Sequence, residues 1–432
     1  MNPGLAITLR PSTPWRIGPD SGVRNRVDSV YHSDTLYSAV ASAMARLGRL
    51  DEWLAATARA AQPAVCFSSC FPFIDGVRYV APPRHVWPPD SPALLSARVR
   101  WKSAKFVPVE IVRAVLAGKP LRENHWTVDG VSGCLLPQGA AAPIRTSVRW
   151  NAAVDRLTGA TDRHSVACAE FRLGAGLWVL VSFAGDSAYA HWSEPVKAAF
   201  RWLADSGFGG ERSRGWGRAE SPEFTEGQLP QMILGSPEPE KPAAAEPPAE
   251  SHHKAEVIVL PVRVEPDDEA APLAVAAAAP ASSPAAPESA PAQPTGGAPV
   301  EPRSATTAAA ISAPPDPALP PADPSEETLP AATAPIGLTA HWLLSLFTPA
   351  DTDSVDWSRG NYSLIERGGR IESPSGAGDL KKNLRMIAEG SVVYATSAPC
   401  GAAPDVAPDG FAHPVYRAGF ALSIPLTVEP AQ

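Results

Sequence analysis

Gly207-Phe-Gly-Gly-Glu-Arg-Ser-Arg-Gly-Trp-Gly-Arg218 places five glycines, three arginines and a serine in twelve residues. Glycine lets backbone N–H groups turn outward and lets another chain come close. Arginine offers a planar fork of donors that matches phosphate oxygens. The chemistry this pattern suits is the holding of a phosphate chain. The amides of Gly207, Gly209 and Gly210 and the side chains of Arg212, Ser213, Arg214 and Arg218 are the expected donors, with Gly215 and Gly217 completing the surface. The competing reading is a glycine-rich turn with solvated arginines. Enzyme fingerprints fit poorly. No Gly-Lys-Ser/Thr closes the loop as a Walker A motif requires, and a dinucleotide motif would need Gly where Arg212 stands. Trp216 suits either a base-stacking or a core role.

Tyr31-His-Ser-Asp-Thr-Leu36 is a second constellation. It stands where free N–H groups and the positive end of a helix dipole favour anions. His32 and Ser33 would close a phosphate pocket there. His32 could instead act as a general base, or only bond to its neighbours. A third group is the arginine-bearing excursion from Pro143 to Gly159, with Arg145, Arg149 and Arg156, followed by Arg163. It reads as a long projecting hairpin whose arginines meet phosphates. Arg98, Arg100, Lys102 and Lys105 alternate with Trp101 and Phe106. That interleaving fits single-stranded nucleic acid or a half-exposed strand equally. No paired carboxylates, zinc signature or nucleophilic triad emerges, so no catalytic residue, metal or cofactor is assigned.

These residues need elements to position them. Leu5–Leu9 reads as an opening strand. Ser33 reads as the cap of a helix over 34–47, with Leu36, Val40, Met44 and Leu47 at helical spacing and Gly48 beyond. Pro108–Ala117 is a second helix. Leu177–Phe183 is a buried strand, and Ser193 is expected to cap a third helix that ends at Gly207. Later, Trp342–Phe347 reads as a strand, residues 362–371 as a hairpin across Gly368-Gly369, and Gly390–Tyr394 as the start of another strand.

Composition divides the chain in three. Residues 1–225 are globular in character; residues 226–335 are Ala, Pro, Glu and Ser with roughly half of the 49 prolines; residues 336–432 are globular again. The middle stretch is expected to be disordered, because it cannot bury enough apolar surface to offset its ordering entropy. Its Val257-Ile-Val-Leu260 island is either a returning strand or an isolated sticky patch. The net charge of −8 hides an asymmetry: residues 1–220 hold 26 Lys+Arg against 18 Asp+Glu, residues 221–335 only 4 against 17. The five cysteines lack disulfide or zinc spacing and suit buried thiols. Without a signal sequence or a long apolar run, a soluble cytoplasmic protein is expected.

The same residues resemble the RAMP superfamily of CRISPR-associated proteins. His32–Leu36 and the Gly207–Arg218 loop carry the likeness to the superfamily. Lys105–Pro108, the stretch Arg145–Gly159 and a C-terminal block containing residues 362–371, Lys381-Lys382 and residues 389–392 narrow it. The narrower match is the type III-A subunit that binds the 5′ tag of the CRISPR RNA (crRNA). The resemblance implies an α+β chain of two ferredoxin-like (RRM-like) domains with a long Ala/Pro-rich insertion. Its expected partners are crRNA, the large polymerase-like subunit, the backbone RAMP subunit and target RNA near the thumb hairpin, in antiviral defence. It implies a non-catalytic role; the alternative is a metal-independent RAMP endonuclease that processes precursor crRNA with His32 as base.

Overall fold

Alternation along one strand organises the molecule. In β1 (Asn2–Leu9), Leu5, Ile7 and Leu9 face one side, while Ala6 faces the other. Both faces are covered, so nearly the whole strand is buried. The computed structural model describes residues 2–18, 25–89, 100–122, 125–235, 337–373 and 376–426. Arg98, the apolar island at 257–264 and residues 236–335 of the expected linker lie outside the described residues.

After β1 come α1 (Ser33–Arg46), α2 (Leu50–Ala56), β2 (Val65–Phe67), β3 (Phe71–Ile74), β4 (Val77–Val80), β5 (Val107–Pro108) and α3 (Val109–Leu116). Two hairpins follow, β6 (Trp126–Val128) with β7 (Leu135–Pro137) and β8 (Ile144–Val154) with β9 (Thr161–Phe171). β10 (Ala175–Phe183), α4 (Asp186–Ser206), β11 (Glu223–Leu229) and α5 (Gln231–Leu234) complete the first segment. The main sheet runs β11-β1-β10-β3-β4-β5, with β2 also paired to β10. Its pairings are antiparallel.

Helices α1 and α4 cover one face of this sheet. Leu36, Tyr37, Val40, Ala43 and Met44 of α1 and Val196, Ala199, Phe200 and Leu203 of α4 share a core with Leu177, Val179 and Val181 of β10. The i, i+3, i+4 spacing of these side chains is what makes each helix one-sided. The opposite face meets the last segment: β12 (Thr339–Leu343), β13 (Val355–Asn361), β14 (Leu364–Arg367), β15 (Arg370–Ser373), β16 (Gly376–Leu380), β17 (Leu384–Ile387), β18 (Val392–Ala395) and β19 (Ser423–Leu426). A second sheet in the order β13-β18-β12-β19 lays Trp342, Val392 and Ile424 against Trp178 and Leu180 of the first. The described residues belong to one compact unit made of Met1–Pro239 and Thr333–Gln432.

Several sequence expectations change. The boundary placed at 225 falls inside β11, whose Glu223–Leu229 pairs with β1, and α5 follows it. His32, not Ser33, is the N-cap of α1. Gly185 precedes α4, so the helix starts well before Ser193 and continues through Pro195. The expected hairpin across Gly368-Gly369 does not form. β14 pairs with β17 and β15 with β16, because Gly369 (φ 123°) bends the chain out of one ladder into the next. Among the described residues no helix is long and apolar enough to cross a membrane.

Trp342 is fully buried and its Nε1–H donates to the Ala81 carbonyl at 3.0 Å. It joins the two sheets through packing and one hydrogen bond. Trp342→Ala should cost about 3–5 kcal/mol, read as a lower urea midpoint at an unchanged m-value. A midpoint within error of wild type would show that the two sheets do not depend on this side chain.

Candidate nucleic-acid interface

The glycine-rich loop leaves α4 at Gly207 (φ 100°). Phe208 then turns inward, fully buried, and stacks on Trp15 with ring centres 4.9 Å apart. The next bends bring backbone against backbone. A Cβ would lie 2.4 Å from Trp216 O at Gly207, 2.4 Å from Arg16 O at Gly209 and 2.0 Å from Phe208 O at Gly217. No side chain fits such gaps. Two of the amides are committed as well: Gly207 N–H donates to Leu203 O at 2.8 Å and Gly210 N–H to Arg16 O at 3.0 Å. The phosphate cradle expected from the amides of Gly207, Gly209 and Gly210 is therefore largely taken up by the protein itself. Glycine was read as exposing the backbone, whereas here it admits close packing.

The side chains of the loop divide. Gly207, Gly209, Gly210 and Arg212 line a groove of about 1300 Å³. Ser213, Arg214, Gly215, Gly217 and Arg218 lie outside that lining. Arg214 and Ser213 are exposed on a single 3-10 turn, and Arg214 pairs with Glu211 at 3.1 Å. Arg218 is exposed, while its backbone N–H donates to Thr13 Oγ1. Trp216 is half-buried.

The groove joins distant parts of the chain. Its lining includes Arg16 and Arg212, small residues of α1 such as Ser38 and Ser42 together with Arg46, and Arg370 and Lys381 of the last segment. Sequence reading did not place Arg16, Arg46, Arg370 or Lys381 in the site. The signal available for α1 was its outward stripe of Ser and Ala, which leaves room for a ligand against the helix.

His32 and Ser33 behave differently from the expectation. Both are buried. His32 Nδ1 lies 2.7 Å from Glu389 Oε1, and the Ser69 hydroxyl donates to the same carboxylate. Ser33 N–H donates to Ser69 Oγ, and Leu346 N–H donates to Ser33 Oγ, both at 2.9 Å. The interruption between β2 and β3 puts Ser69 in position for both contacts. Beside them Asp34 is gripped by two arginines of the last segment. Arg367 reaches it through Nε at 3.1 Å and Nη2 at 3.0 Å, and Arg417 bonds the Oδ2 oxygen. The start of α1 is thus the fastening point of the C-terminal segment rather than an open anion site.

Electrostatics follow from that burial. Burial alone would raise the Asp34 pKa, but Arg367 and Arg417 hold it well below the usual carboxylate range. Burial opposes the charged form of His32, yet the Glu389 carboxylate outweighs it and raises the histidine pKa. Glu389 is correspondingly lowered, against its own burial. The imidazole is thus committed to a buried pair with Glu389 rather than standing at the open helix terminus where a general base was expected.

The projecting hairpin β8–β9 is paired throughout, from Ile144↔Phe171 to Val154↔Thr161. Its faces differ. Arg145 and Arg149 sit on one side and both pair with Glu170. Val148, Trp150 and Val154 are exposed on the other, and Leu157 at the tip is 97% exposed. Arg156, also at the tip, is exposed, and Arg163 lies over the Trp150 ring at 5.3 Å.

The stability of the fastening depends on pH in two ways. The Asp34 and Glu389 contribution is complete above their unfolded pKa values of about 4 and declines as pH falls from there through the lowered folded values. The His32 contribution is complete below about 6.5 and declines as pH rises through the raised folded value. Asp34→Asn should cost about 3–5 kcal/mol by stranding two buried guanidinium groups and flatten the acid limb of urea stability against pH. His32→Ala should flatten the other limb. Profiles parallel to wild type would refute both assignments.

Residues 339–426, spanning β12 to β19, match the family model of the CRISPR Csm4 C-terminal domain. No curated protein matches the chain. Among solved structures, the Csm3–Csm4 subcomplex of a type III-A CRISPR-Cas interference complex is similar over 98% of this chain and 99% of that chain, with TM-score 0.50 and 13% identity. A Csm1–Csm4 cassette in complex with cA4 matches over 100% and 99%, with TM-score 0.46 and 15% identity. A type III-B Cmr-beta structure bound to cognate target RNA matches over 52% and 61%, with TM-score 0.30 and 8% identity.

Proposed function

From a chain that is a CRISPR RAMP subunit of the Csm4 kind, we infer a non-catalytic part in a type III-A effector complex: it holds the 5′ tag of the crRNA. The observation that carries this reading is the groove in which Arg16, Arg46 and Arg212 meet Arg370 and Lys381. Guanidinium and ammonium groups spread along a trough suit the repeating charge of an RNA backbone. Side chains replace the backbone amides as donors, since those of Gly207 and Gly210 are satisfied internally.

The order β11-β1-β10-β3 with α1 and α4 on one face supports a ferredoxin-like first domain. The last segment supplies the second such half. In the subcomplexes named above Csm4 stands with Csm3 or with Csm1. This chain would bridge the large polymerase-like subunit to the backbone RAMP subunit in the same way, in the cytoplasm, as part of antiviral defence. Hairpin β8–β9 acts as the thumb: its exposed Val148, Trp150 and Leu157 give an apolar wedge toward the guide–target duplex, and Arg156 gives it a charge at the tip.

Arg212→Ala combined with Arg370→Ala should lower affinity for single-stranded tag RNA. The slope of log K against log salt should become shallower by about 1.4, at about 0.7 per lost phosphate contact. Filter binding across a salt series measures both. Unchanged affinity and slope would remove the groove as the RNA site.

A further inference from the structure

Lys102 and Lys105, the basic part of the aromatic-interleaved run, do not line the groove. They stand with Arg84 at a second cleft of about 590 Å³, a size ordinary for a small-ligand site. The interleaved aromatics build its frame: Trp101 is buried and stacks on Trp87, ring centres 5.7 Å apart and 3° from parallel, and Phe106 is buried too. The most exposed ring in the lining is Tyr362, 41% exposed and steadied by the edge of Trp357 at 5.4 Å, while Trp87 is half-buried.

The charges here are unmatched. Arg145, Arg149 and Arg214 each pair with a carboxylate. Among the described residues Arg84, Lys102 and Lys105 form no ion pair. Lys105 Nζ only reaches Ser29 Oγ, at 3.3 Å. The carboxylate nearest in effect to Arg84 is Glu389, already engaged by His32 and Ser69. Desolvation lowers the Arg84 pKa, so an incoming anion would restore what the protein has removed. Val30 and His32 line both cavities, so the cleft adjoins the groove.

We propose that this cleft is a second RNA site, which receives one unpaired nucleotide of the strand lying in the groove. The phosphate sits among Arg84, Lys102 and Lys105, and the base stacks on Tyr362. The proposal rests on the reading of the groove as an RNA site. Cations and an accessible ring lining one cleft take any base, because stacking does not read its edge.

The test uses the full-length protein, tag RNA and a salt series, with two cleft variants beside the groove variant. Arg84→Ala/Lys102→Ala/Lys105→Ala should make the salt slope shallower by about two units. Tyr362→Ala should weaken binding roughly tenfold while leaving the slope unchanged. RNA carrying 4-thiouridine at successive positions should crosslink to the Tyr362 peptide from one position only. Wild-type affinity and slope in the cleft variants, beside a weakened groove variant, would overturn the cleft and leave the groove standing. Wild-type behaviour in all variants would overturn both. If AMP alone binds and is lost in the triple variant while RNA binding is unaffected, the cleft is a free-nucleotide site and the strand assignment fails.

Discussion

A carboxylate taken out of water at the start of a helix constrains everything built around it. Asp34 is buried, and desolvating an unpaired carboxylate there would be prohibitive. Arg367 and Arg417 remove that cost only when the last segment is docked. The two arginines are equally buried and need Asp34 in return. Neither partner is comfortable alone, so the contact specifies one arrangement of the two segments more than it adds net stability. The neighbouring His32–Glu389 pair repeats the logic across the same junction.

The groove inherits this dependence. Arg16, Arg46 and Arg212 belong to the first segment, Arg370 and Lys381 to the last. Arg370 follows Arg367 within three residues, and Gly368 O accepts a bond from Arg417. Fastening Arg367 therefore also fixes the strand that carries Arg370. A cation-lined trough assembled this way is complete only in the docked chain.

The elements that span a few turns or a whole strand were legible in the sequence. The period of Leu36, Val40 and Met44 predicts α1, and the alternation through residues 144–154 goes with the β8–β9 hairpin. What sequence could not show was which polar residues would be consumed inside. His32 and Ser33 look like an open helix terminus when partners 36, 313 and 357 residues away are invisible. The glycine loop misled for a related reason: the composition that frees backbone amides also lets chains pack closely, and only Arg16, Tyr31 and Trp216 decide between the two. Ser193 resembled a cap ahead of the helical spacing of Val196, Phe200 and Leu203, yet the preceding turns of α4 bury Trp192 and carry the helix past Pro195.

Charge placement follows the same division between what is spent inside and what is left outside. Cationic residues of the first 220 positions that lie near a carboxylate become structural, as Arg145, Arg149 and Arg214 do. Arg84, Lys102 and Lys105 instead line a cavity. A low-dielectric wall around such cations focuses their field on whatever enters. The overall charge of −8 is thus no guide to the partner, because residues 221–335 contribute 17 acidic against 4 basic groups while the cavities are lined from elsewhere in the chain. Sequence-neutral grip on a backbone needs only this: positive groups held apart at fixed positions, with the interior ion pairs doing the holding.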